Sequence, residues 1–78
     1  MLVAENVRGF DKLEKNAELF KVFLKNFYNA WGLEARETIK PISVKYVKEK
    51  GGNPYLRFDY EMYGKKEWLH VTGSGTWY

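Results

Sequence analysis

His70 is the single histidine of a 78-residue chain, and the pattern of alternation around it brings a carboxylate, Asp59, and a hydroxyl, Ser43, onto the same face. Those three residue types are the parts of a hydrolytic relay. In such a relay a histidine stands between hydroxyl and carboxylate and takes the hydroxyl proton. The expected strand order places them differently, because β-strand pairing makes Asp59 the neighbour of His70 and, where Val44 faces Phe58, of Ser43 as well. With the carboxylate in the middle of the row, the imidazole has no nucleophile to activate. No acid pair or oxyanion donor completes a site, so the chain reads as non-enzymatic.

Metal and cofactor chemistry is thin for a similar reason. Asp59 and Glu61 are two residues apart on one strand face, but with one His and no Cys the chain has too few ligands for a protein-built site. Gly51-Gly52 and Gly73-Ser74-Gly75 do not lie between a strand and the start of a helix, so they are turn or bulge residues and not phosphate cradles. No cofactor and no metal are expected.

What remains is the chemistry of rings and cations. The alternation that exposes Asp59 also exposes Tyr55, Arg57, Tyr63, Trp68 and His70, with Lys45 on the adjoining strand and Trp77 and Tyr78 in the segment beyond Gly75. Tyr and Trp bury much area with few rotatable bonds and keep a polar tip, which suits them to protein interfaces. Rings on a sheet, flanked by cations, also suit stacking of single-stranded bases. Lys45, Tyr55, Arg57, Tyr63, Trp68, His70, Trp77 and Tyr78 are therefore the candidate binding surface. The leading reading is protein binding or self-association as a homodimer, and nucleic-acid binding through the same face is the alternative. Thirteen basic against ten acidic residues give a net charge of +3, which permits an acidic partner without forming a dedicated basic arm. Asp59 and Glu61 at the centre of the face would repel phosphates, which ranks the protein partner first.

The element that must support this face is the stretch from Asp11 to Gly32, expected to be a helix over 11–31. Asp11 is a good N-cap and Glu14 completes a capping box. Gly32 is suited to a left-handed C′ position with Leu33 folding back as C″. The 100° spacing lines up Leu13, Ala17, Phe20, Leu24, Phe27, Tyr28 and Trp31 as one apolar stripe. Leu19, Phe23 and Ala30 lie beside that stripe, and one small sheet has no room to cover both. This flank is a second candidate interface, or else the N-terminal segment or the stretch after Gly32 must cover it.

From Ile42 the period changes to two, giving strands over about 42–48, 55–63 and 66–73. A two-residue type II′ turn at Gly64-Lys65 would pair Tyr60 with Leu69, Phe58 with Val71 and Leu56 with Gly73. In the first hairpin Val44 faces Tyr60 or Phe58, and charge favours Tyr60, which sets Lys45 against Asp59 and not against Arg57. The fold class is α+β: one long N-terminal helix packed on a three-stranded antiparallel β-meander, as a single domain over 1–78. A helix followed by three antiparallel strands is similar in element order to the first part of a double-stranded-RNA-binding domain, whose final helix and basic cluster have no counterpart among these residues. The opening residues lack the basic region and apolar run of a signal peptide, and no run approaches membrane-span length, so no membrane partner and a cytoplasmic location are expected.

Overall fold

The period-two stretches form one antiparallel sheet in the computed structural model, which describes residues 2–48 and 50–78. The strands are β1 (Lys40–Val47), β2 (Tyr55–Met62), β3 (Lys65–Gly73) and a two-residue β4 (Thr76–Trp77), in the order β1-β2-β3-β4. A helix, α1 (Ala17–Asn29), covers one face, and a short α2 (Leu33–Thr38) leads into β1. The fold is α+β, with a fourth strand added to the expected meander.

β2 shows why the sheet has two unlike faces. Leu56, Phe58, Tyr60 and Met62 are buried while Tyr55, Arg57, Asp59 and Glu61 are half-buried, as strict alternation requires. On the helix side, Phe58 meets Phe20, Phe23 and Phe27 at ring-centroid distances of 5.6, 5.5 and 5.7 Å. Phe27 also packs edge-on against Tyr60 at 5.2 Å. Tilted and edge-to-face contacts of this kind add to the burial of apolar area. These rings, with Leu13, Leu24, Val44, Leu56 and Val71, are the core.

The helix begins later than its sequence signals suggest. Residues 10–16 wind through two short 3₁₀ turns, and Glu14 takes a φ of 53°. Asp11 lies inside the first of these turns and not at the cap of α1, and Asn16 ahead of α1 makes no side-chain capping bond. Tertiary attachment overrides the local capping preference here. Arg8 forms a parallel bridge with Ser43, and its carbonyl accepts a 2.9 Å hydrogen bond from the Val44 N–H. The chain must then leave the strand edge at once, and Gly9 does this with a φ of 91°. A Cβ at Gly9 would run into the Val44 carbonyl oxygen, so the turn needs glycine twice over. Phe10 and Leu13 are drawn onto the core, and regular α-helix starts only after they are placed.

At the other end, Gly32 is extended (φ −69°, ψ 165°) and precedes α2, so the expected Schellman cap is not formed. Leu33 is 76% exposed and does not fold back on α1. The guanidinium of Arg36 does the closing instead: its Nε donates to the Tyr28 carbonyl at 2.9 Å and Nη2 to the Asn29 carbonyl at 3.2 Å, while the group lies over the Tyr28 ring. A cation at the carbonyls of a helix C-terminus is favourable.

Both hairpin registers differ from expectation by two residues or by the less favoured option. Met62 pairs with Lys65, leaving Tyr63 (φ 52°) and Gly64 (φ 76°) as the two-residue turn. Two positive φ values make it type I′, with the glycine second. Leu56 consequently faces Val71 and Phe58 faces Leu69, and Gly73 is released to pair with Thr76 in a further hairpin. Because the shift is even, every side chain keeps its face. In the first hairpin Val44 faces Phe58, so Lys45 stands opposite Arg57 in spite of the like charges.

Candidate functional site

The face of the sheet away from α1 gathers the rings that the alternation exposes. His70 is their centre. Its imidazole lies 4.5 Å from the Tyr55 ring, 4.6 Å from the Trp68 ring and 4.6 Å from the Tyr78 ring, the last nearly parallel at 11°. β3 supplies Trp68 and His70, β2 supplies Tyr55, and the chain after the Ser74-Gly75 turn supplies Tyr78. That last partner is held by backbone: the His70 N–H donates to the Tyr78 carbonyl at 2.8 Å, and the Tyr78 N–H donates back to the His70 carbonyl at 3.0 Å. Two of the rings remain open to solvent, Trp68 at 42% and Tyr78 at 68%.

Arg57 resolves the like-charge register. It stands opposite both Lys45 and His70, yet its side chain turns along its own strand. One nitrogen lies 3.2 Å from the Asp59 carboxylate, and the guanidinium carbon is 4.3 Å from the Trp68 ring centroid. A guanidinium stacked on an indole and paired with a carboxylate is satisfied twice, so the adjacent Lys45 costs little. Asp59 also accepts a 3.3 Å hydrogen bond from the Ser43 hydroxyl.

The arrangement removes the Asp59–His70 neighbour pair expected from sequence. Asp59 faces Trp68, and His70 faces Arg57. The Ser43–Asp59 contact exists without a histidine in line, so no relay is assembled. Among the described residues no three of His, Cys, Asp and Glu gather as a metal-binding group.

Of the candidate binding residues, Tyr55, Arg57, Trp68, His70 and Tyr78 come together. Tyr63 does not join them, being a turn residue that is 58% exposed at the end of the hairpin. Lys45 is exposed on the edge strand. Trp77 belongs to the opposite face: it packs edge-on against Phe23 at 5.4 Å and against Phe27 at 6.0 Å. The same contact corrects the helix-flank candidate. Phe23 is wholly buried inside the chain's own core, Leu19 is half-buried against it, and only Ala30 is exposed. Phe23 is covered by the β3–β4 hairpin, whose Ser74 carbonyl also accepts a 3.0 Å hydrogen bond from the Asn26 side chain. The N-terminal segment lies on the other side of α1, where Glu5 pairs with Lys21 at 3.5 Å.

Sequence reasoning carries the third strand on toward Tyr78 with a kink at Gly73 or Gly75, or folds Trp77 and Tyr78 back over the core. It does not make β4 a separate strand paired back on β3. The signal for β4 was the succession of Trp77 and Tyr78 themselves, two large rings that point to opposite faces if the chain is extended after the Gly-Ser-Gly turn. No helix among the described residues is long and apolar enough to cross a membrane. Comparison with protein-family models, curated proteins and solved structures finds no match for this chain.

Proposed function

We propose that this chain is a non-enzymatic interaction module that joins a second copy of itself, or another protein, through the ring-lined sheet face. The observation that carries the reading is the contact of Tyr55, Trp68 and Tyr78 around His70, with Arg57 stacked on Trp68 and two of the rings still open to water. Tyr, Trp and Arg are the residues that most often dominate binding energy when their surroundings become dry. These side chains are already fixed against one another, so little rotamer entropy is left to lose on association. The face also carries both signs, with Arg57 and Lys66 against Asp59 and Glu61. A two-fold mate can therefore set cation against anion. A cysteine-free chain suits a reducing compartment, and the cytoplasm is the location proposed with this role.

Nucleic-acid binding is the second reading, favoured by one feature. The row Lys45, Arg57, His70, Tyr78 crosses the sheet with two cations and two rings and without a carboxylate. Phosphates could follow the cations while bases stack on the rings.

Amide and indole NMR shifts followed over a dilution series test the first reading. Self-association is expected to move Tyr55, Trp68, His70 and Tyr78 while leaving Val22 and Lys25 on the outer side of α1 unchanged. Shifts that stay constant throughout the series would remove the second copy as partner. Titration with single-stranded DNA and RNA at two salt concentrations tests the second reading, since phosphate contacts make affinity fall with salt; no binding at low salt would end it.

A further inference from the structure

The outer edge of β1 is only half used. Arg8 pairs with it beside Ser43, and Gly9 then carries the chain away into the 3₁₀ turn Phe10–Lys12. Further along, Tyr46 directs its backbone N–H and C=O outward by strand alternation. Among the described residues no backbone group pairs with it on that side. Between the departing segment and the strand runs a groove of about 560 Å³. Leu13 and Lys12 form one wall, Ile42 and Tyr46 the other, and Arg8 and Lys45 complete the lining. Ile42 and Tyr46 are large apolar side chains left exposed there. Arg8, Lys12 and Lys45 are exposed, none takes part in a salt bridge among the described residues, and the groove lining contains no acid.

We infer that this groove is a docking site for an extended, acidic peptide segment that adds to the sheet beside Tyr46. Three uncompensated cations around an apolar floor call for carboxylates alternating with apolar side chains. An unpaired strand edge calls for backbone donors and acceptors at strand spacing. A peptide meets both demands at once. A nucleic acid meets only the first, since its backbone cannot continue a β ladder. The site lies at the strand edge, apart from the ring cluster around His70, and does not depend on the role proposed for that face.

A labelled, end-blocked peptide of alternating Glu and Val, about six residues long as in an ordinary strand, is the direct probe. Its binding to the whole chain is followed by fluorescence polarisation at about 0.02 and 0.2 M salt, with hydrogen exchange of the Tyr46 amide read in parallel. The acidic peptide is expected to bind, to weaken at the higher salt, and to slow exchange at Tyr46. The same peptide with a central proline should bind about tenfold more weakly, the equivalent of one or two net hydrogen bonds. A Lys-Val counterpart should not bind, and Lys12→Glu with Lys45→Glu should reverse that preference. Equal binding of the proline peptide, an unprotected Tyr46 amide, tighter binding of oligothymidylate than of the acidic peptide, or no binding at low salt would each overturn the inference.

Discussion

On the helix side of the sheet Phe20, Phe23, Phe27 and Phe58 are wholly buried, whereas on the far side Tyr55, Trp68 and Tyr78 each touch His70 and all four still meet solvent. Both faces hold a ring cluster, the covered one supplied mainly by α1 against Phe58 of β2 and the open one by β2, β3 and the chain after β4, and the ring chemistry differs. The covered face uses rings without polar atoms apart from Tyr60, Trp77 and Trp31. Every ring of the open face has an O–H or N–H that can stay hydrated while the carbon framework packs. β4 marks the division within two residues: Trp77 closes the core and the following Tyr78 stacks on His70. A sheet face lined by amphipathic rings can be stable in water and still have area to give up to a partner.

That contrast can be broken from either side. The largest effect is expected for Phe27→Ala, which empties a site touching Phe58, Tyr60, Trp31 and Trp77. Truncating a buried Phe costs about 3–5 kcal/mol, and in a chain this small such a loss leaves little folded protein in a denaturant titration. Next comes the pair at the C-terminal strand. Trp77→Ala should cost about 2–3 kcal/mol, less than the truncation of a fully buried aromatic because the ring is only partly buried. Tyr78→Ala should cost under about 1 kcal/mol, as expected away from the core. Equal losses would mean that the two faces are not distinct.

A smaller, pH-dependent effect belongs to Tyr60. Burial pushes its hydroxyl above the ordinary value of 10.0, and Glu67, its cross-strand neighbour, adds repulsion against the phenolate. A raised folded-state value means that the unfolded chain releases this proton first. Its contribution to stability is therefore intact below about pH 10 and is lost as pH climbs through the folded value. Denaturation midpoints measured from neutral to alkaline pH should fall over that range, and less steeply in Tyr60→Phe. The smallest effect is expected at the turn. Tyr63 is a non-glycine residue at φ 52°, so Tyr63→Asn should raise stability by a few tenths to about 1 kcal/mol, read as a higher denaturation midpoint.

How much of this was legible in the sequence depends on which forces set each feature. The faces were legible, because period-two patterning assigns Leu56 and Phe58 inward and Arg57 and Trp68 outward regardless of an even shift in register. The register itself was not, since Gly64 can serve as first or second residue of a two-residue turn and the choice depends on what Gly73 does next. The core of α1 was legible from its apolar spacing, while its start was not. Asp11 and Glu14 look like a capping box locally, but the attachment of Arg8 to β1 and the burial of Phe10 and Leu13 decide the backbone there. The Lys45–Arg57 pairing ran against the charge rule because Asp59 and Trp68 had already engaged Arg57 from the neighbouring positions. The ring cluster was half legible: its members on β2 and β3 followed from alternation, and a return of Trp77 to the core was one of two open readings. The division of Trp77 and Tyr78 between the faces, by contrast, required a strand too short to announce itself.

The central claim, that the ring-lined face is where this chain associates, is tested most directly by sedimentation equilibrium of the wild type and of Trp68→Ala, with circular dichroism to confirm that both are folded. The wild type is expected to self-associate. The variant, which loses the ring stacked between Arg57 and His70, should do so roughly 30-fold more weakly, the size of a binding hot spot. A wild type that stays monomeric at the highest concentrations, or a folded variant that associates as well as the wild type, would contradict it.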